Sequence, residues 1–117
     1  TETDGGDELA IAGSYTDEWG DMHEISSESW SSGAGSFAID SYDNDGMWAV
    51  AQNADSNEYF PGMWSRFDWT WSGTDLYVCQ TEAYAASEGD ALGTTPANAG
   101  DLDGGCPGYG WLLLTAI

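Results

Sequence analysis

Short apolar runs with a period of two recur along this chain, each ended by a Gly, Asp, Asn or Ser cluster, and they restrict it to β architecture. Leu9, Ile11, Gly13 and Tyr15 alternate with smaller or polar neighbours, and residues 17–21, with Gly20, turn the chain back. Residues 23–30 alternate less cleanly, and the Ser/Gly cluster 31–35 closes them as a loop. In the next run Phe37, Ile39 and Ser41 share one face, with Asp40 and Tyr42 opposite. The acidic turn 43–46 then joins this run to residues 47–52 as a hairpin, on the strength of its Asp-Gly chemistry. Over residues 63–71, Ser65, Phe67, Trp69 and Trp71 lie on one face and Trp64, Arg66, Asp68 and Thr70 on the other. A turn at 72–75 leads into the run 76–81.

Only the Ala-rich stretch 82–92 suits a short helix, and residues 93–108, rich in Gly and Pro, form an irregular loop long enough to need a staple or a purpose. Residues 109–117 end the chain as a nearly continuous apolar strand. Such a strand needs cover on both faces, as a central or closing strand or as an edge against a second copy. The expected fold is all-β: a small antiparallel up-and-down barrel or sandwich of about seven to eight strands, with one short helix or an irregular disulfide-tied loop near 82–108. At 117 residues the chain fits one domain. Residues 1–8, polar and acidic, read as a flexible amino-terminal tether left after an export signal, with an ordinary frayed end as the alternative, and 9–117 as a single β-domain.

One arginine and no lysine stand against 21 acidic residues, a formal charge of −20. That field repels phosphate backbones and anionic lipid surfaces, which excludes nucleic acid as a direct partner. No apolar run approaches the roughly 18 residues of a spanning helix, so direct membrane insertion is not expected. Aromatic residues at 14%, including seven Trp, place the chain among folded proteins despite its charge. The two cysteines, Cys79 and Cys106, lack CxxC spacing and have one His to share, which disfavours zinc. A disulfide is the better reading for an exported domain, and two buried thiols in a cytosolic protein the competing one.

The single cation, Arg66, sits among Trp64, Asp68 and Trp69 and reads as a guanidinium stacked on a ring and paired with a carboxylate, with an anion clamp as the functional alternative. Most Trp should be core, Trp64, Trp69 and Trp111 first; Trp19, Trp30 and Trp48 lie near turns, as candidate contacts for a ligand or partner. Asp40, Asp43, Asn44 and Asp45 before Gly46 offer oxygen donors to Ca²⁺, yet the EF-hand pattern fails at its twelfth place, where Gln52 stands. No other cofactor is expected. His23 has no nucleophile motif around it, and among so many acids a pair spaced for glycoside hydrolysis arises by chance.

The segments Ile11-Ala-Gly-Ser-Tyr15 and Trp19-Gly-Asp-Met-His-Glu-Ile25 resemble the opening of calycin barrels, the group of lipocalins and avidins. That resemblance implies a barrel with a ligand in its mouth; it carries no biotin-site residue onto this chain. Gly13-Ser-Tyr-Thr-Asp17, Gln52-Asn53, Trp64-Ser-Arg-Phe-Asp-Trp69 and Cys79-Gln80 resemble a group of small lipoproteins of marine and myxobacterial-type bacteria. This second resemblance implies export and a disulfide. The expectation is a non-enzymatic exported bacterial domain, extracellular, at the cell surface or periplasmic, whose acidic coat suits saline surroundings. Its leading role is that of a binding or self-assembling surface protein, a homo-oligomer or filament, its alternative the carriage of a small neutral, apolar or aromatic ligand, and its distant alternative acid-pair glycoside hydrolysis.

Overall fold

The computed structural model describes residues 8–33, 35–106 and 109–117. The tether expected over 1–8 therefore lies, except for Glu8, outside the described residues. Eight antiparallel strands follow one another around a closed barrel: β1 (Gly13–Asp17), β2 (Met22–Ile25), β3 (Ser29–Ser32), β4 (Gly35–Asp43), β5 (Trp48–Asn53), β6 (Trp64–Ser72), β7 (Asp75–Ala85) and β8 (Leu112–Ala116). Closure is made by β8, which pairs with β7 through Leu76↔Leu114 and with β1 through Asp17↔Leu114. The all-β barrel expected from the alternating runs is the observed fold, and the terminal apolar run is its closing strand.

Period-two alternation decides what enters the barrel. Tyr15, Ile25, Trp30, Phe37, Ala51, Phe67, Trp69, Val78 and Leu114 form one buried cluster. Residues 8–12 plug one end. Leu9 and Ile11 are fully buried there, held as Leu9 N donates to Ser27 Oγ (2.9 Å), Ala10 N to Asn44 Oδ1 (2.8 Å) and Tyr15 Oη to the Ile11 carbonyl (2.9 Å). Burial pushes the Tyr15 hydroxyl above its ordinary pKa. The opposite end, where β1 ends and β2 begins, is left open by the described residues.

Three local expectations are corrected by cross-strand pairing. Ser31 and Ser32, expected in a loop, complete β3 by pairing with Ser36 and Gly35 of β4. Propensity is a weak guide where a partner strand supplies the ladder. A bulge between Ile39 and Ser41 then inserts Asp40 as an extra residue and reverses the phase, so Tyr42 joins the interior instead of facing away from Phe37. The third correction concerns 82–92: residues up to Ala85 extend β7, and the helix α1 is only Glu88–Leu92. Its start is set by Ser87, whose side chain accepts from Asp90 N, with Glu88 and Asp90 in the first turn, where acids suit the helix dipole.

The tight β3–β4 connection shows why a glycine is required. Gly35 has φ +134°, and a Cβ there would lie 2.5 Å from Asn57 Oδ1. Asn57 needs that approach, because its amide bonds both Ser36 N and Ser36 O at 2.9 Å and pins the β5–β6 loop to β4.

Outside the barrel, α1 and residues 93–106 cover the outer faces of β5 to β8. Val50, Ala85 and Ala91 pack with Trp48 and Trp64, while Cys79, Cys106 and Trp111 pack with Tyr77, Ala97 and Leu102. Cys79 and Cys106 are disulfide-bonded, as expected, and tie the loop to β7. This coat explains why the last strand is apolar on both sides: Leu112 and Leu114 contact the interior cluster, and Trp111 lies beneath the chain's own loop. Among the described residues no helix is long and apolar enough to cross a membrane.

Candidate functional site at the barrel mouth

The inward positions at the open end change from apolar to polar: Asp17 and His23 on β1 and β2, Asn53, Ser65 and Gln80 on β5 to β7. Their side chains form two hydrogen-bonded relays, and a cavity of about 310 Å³ is lined by Asp17 and His23 of the first and by Gln80 of the second. Trp30, Phe37, Phe67 and Val78 make its floor. Asp21, Gly33, Tyr109 and Leu112 line its sides.

In the first relay Trp30 Nε1 donates to His23 Nδ1 (3.0 Å). An indole nitrogen can only donate, so Nδ1 accepts, the proton resides on Nε2, and Nε2 donates to Asp17 Oδ2 (3.0 Å). Asp17 Oδ1 also accepts from Trp19 N (2.8 Å) and Asp21 N (3.0 Å). Burial alone would raise the Asp17 carboxyl, but the His23 hydrogen bond and the two backbone donors together outweigh it, and its pKa is lowered. The relay is saturated. His23 has no lone pair left to accept a substrate proton, and its partner Trp30 is no nucleophile.

The second relay is fixed by the same logic. Asn53 Nδ2 donates to the Phe60 and Ala83 carbonyls (both 2.9 Å), which leaves Oδ1 to accept the Ser65 hydroxyl (2.6 Å). Ser65 Oγ must then accept from Gln80 Nε2 (3.0 Å), so the free end of the Gln80 amide is its carbonyl oxygen, on an exposed side chain at the mouth. The Asp21 carboxylate lies against Gly33, where a Cβ would come within 2.8 Å of it, and receives no hydrogen bond from the described residues. The Asp21 carboxylate can only accept, and the Gln80 amide presents its carbonyl oxygen beside its second N–H. Such a mouth matches a hydrogen-bond donor or a cation, and opposes an anion.

Asp17 provides a test of the first relay. A carboxyl lowered by native contacts contributes stability that is present above the ordinary aspartate pKa and lost as pH falls through its folded value. Asp17→Asn sets an amide opposite the His23 Nε2 proton and should cost about 1–3 kcal/mol at pH 7. The gap between wild type and variant, measured by urea denaturation at stepped pH, should narrow below about pH 4. A gap constant from pH 7 to pH 3 would rule out an ionised Asp17 as the relay's anchor.

The residues singled out from the sequence fall into separate places. Arg66 and Asp68 form a buried pair on the outer wall of β6, with Trp48 under the guanidinium at 5.5 Å and Trp64 beside α1. Trp69 is core. Of the three contact candidates, Trp30 is 1% exposed inside the barrel, because β3 continues through it instead of turning, and Trp48 is committed to the outer-wall cluster. Trp19, in the β1–β2 turn, is 81% exposed.

The candidate calcium donors are likewise placed by the hairpin. Asp43 Oδ1 accepts from Asp45 N (3.0 Å) and Gly46 N (3.2 Å), Asn44 holds Ala10 N and the Glu8 carbonyl, and Asp40 is the bulge residue. The Asp43 and Asn44 side-chain oxygens serve the turn and the plug. Among the described residues no three His, Cys, Asp or Glu come together to hold a metal.

Reading the sequence alone missed Asp17, Asp21, Asn53, Ser65 and Gln80 as a site. A signal was present, since Asp17 and Tyr15 share the inward parity of β1, and Tyr15 is opposite His23. Searches with protein-family models, against curated proteins and against solved structures find no match to this chain.

Proposed function

We propose that this barrel is a non-enzymatic binding protein that takes a small ligand at its open end, recognising a protonated amine or another hydrogen-bond donor above an aromatic floor. The observation that carries this reading is the pair of relays, which commit His23 and Ser65 to internal hydrogen bonds and leave the Asp21 carboxylate and the Gln80 carbonyl oxygen as acceptors at the mouth. A cavity of about 310 Å³ suits a small molecule. The charge of −20 raises the local concentration of cations. The disulfide fits an oxidising compartment, so we place the protein outside the cytosol, exported to the periplasm, cell surface or medium.

Titration with 2-phenylethylamine, 2-phenylethanol and 3-phenylpropionate, followed by the Trp30 indole N–H resonance, tests this. The amine should bind tightest, the alcohol more weakly and the carboxylate not at all, and Asp21→Asn should bring the amine close to the alcohol. A carboxylate that binds as well as the amine, or no perturbation by any of the three, would refute the reading.

Self-assembly has one observation in its favour: Tyr59, Phe60, Tyr84 and Tyr109 are exposed around the same end as Trp19. Barrel closure leaves no free sheet edge for it, and like-charged copies repel. Light scattering across salt concentrations separates the two readings. A monomer at every salt concentration removes assembly.

A further inference from the structure

We infer that the ligand is elongated and that its apolar body lies outside the barrel, in a groove between the β1–β2 turn and β8; this rests on the mouth-binding reading above. The interior cannot hold an apolar tail. Trp30 stacks on Phe67 with ring centres 4.3 Å apart, Phe37 meets Phe67 edge-on at 5.2 Å, and Leu9 and Ile11 fill the far end. Insertion would require repacking a close-packed core.

A second cavity of about 610 Å³ lies on the outer surface, with Trp19, Tyr77, Leu102 and Leu113 among its walls. It shares Tyr109, Gly110 and Leu112 with the mouth, so the two form one continuous path around the entry to β8. Trp19 and Tyr109, 81% and 73% exposed, present ring surface along it.

The groove's Trp19 wall is held by hydrogen bonds. Trp19 N is bound by Asp17 Oδ1 (2.8 Å), the carboxylate that also anchors the mouth relay, and Glu18 Oε1 accepts from Leu113 N (3.1 Å), which fastens the turn to β8. Glu18 and Asp103 also border the groove. Their charge excludes a fatty acid or other anionic amphiphile and tolerates an amine. The ligand class is therefore a primary amine carrying an alkyl or arylalkyl chain, its head at Asp21 and Gln80 and its chain along Trp19 and Leu113.

Calorimetric titration of the full chain with butylamine, hexylamine and octylamine, with octanoate as control, tests this. Affinity should rise about twofold per methylene, less than the roughly fourfold of complete burial because the groove is open on one side. Trp19→Ala should flatten the length dependence. Equal affinities for the three amines, or a length dependence that survives in Trp19→Ala, would overturn the groove while leaving the mouth intact. No binding by any amine would overturn the mouth reading itself, and octanoate binding as tightly as octylamine would overturn the assignment of an amine head.

Discussion

Arg66→Ala is expected to cost about 3–5 kcal/mol, the range for removing one partner of a buried ion pair. Arg66 and Asp68 are 5% and 4% exposed, and the guanidinium reaches Asp68 through Nε (3.3 Å) and Nη2 (3.1 Å) while Nη1 donates to the Leu92 carbonyl at the end of α1 (2.9 Å). Asp68 in turn accepts from Thr81 Oγ1 and from Ala97 N (3.3 Å). One pair thus binds β6, β7, the helix and the covering loop. Deleting the arginine leaves a carboxylate buried with its charge uncompensated, which costs more than the pair contributed. Arg66→Lys should recover part of the loss, since an ammonium cannot serve Asp68 and Leu92 in the planar fork. The loss should persist in 1 M NaCl, because buried pairs are screened far less than surface charges. A cost below about 0.5 kcal/mol in guanidinium denaturation, typical of a surface position, would show the pair to be exposed in solution.

That cluster was legible in advance because it depends only on parity: residues 66 and 68 share a strand face in any register, and a lone cation must choose among many acids. The strands were legible for the same reason, as was the need to cover both faces of residues 109–117. Barrel and sandwich could not be separated, since closure depends on β8 finding β1 across nearly the whole chain, and no local signal encodes that pairing. The Asp40 bulge was equally hidden. One inserted residue reverses the face of everything after it, and Phe37 to Tyr42 reads the same by composition with or without it. The mouth was the least visible part. Asp17 looked like a turn residue and Trp30 like a contact, and only the register Tyr15↔His23 with Ile25↔Trp30 brings the indole, imidazole and carboxylate into line. Ser65 and Gln80 stood in segments of the lipoprotein resemblance, which assigns them no site; their role follows from which atoms Asn53 leaves unsatisfied.

Reduction of the Cys79–Cys106 bond is expected to cost about 3–4 kcal/mol, the chain-entropy value for closing a loop across a sequence separation of 27. Reduction keeps both side chains, so it separates the cross-link from the packing of the outer cluster, which an alanine pair would also disturb. The loss should be felt unevenly. Within the loop, Asn98 N bonds the Gly105 carbonyl (2.9 Å), Trp111 N the Leu102 carbonyl (2.8 Å) and Trp111 Nε1 the Asn98 carbonyl (3.0 Å), a small network that closes on itself. Among the described residues its ties to the β6–β7 wall, apart from apolar contacts, are the disulfide and the Ala97–Asp68 bond. Once the bridge opens, the amides of Asn98, Gly105 and Trp111 should exchange through local detachment, while those of β4 to β6 still need global unfolding. Because Cys79, Cys106 and Tyr109 line the mouth, amine binding should weaken together with that protection. Two outcomes would contradict this account: a melting temperature unchanged by reduction, or uniform loss of protection across all strands and the loop. The first would mean that contacts alone hold the loop to the wall, and the second that the cover and the barrel unfold as one unit.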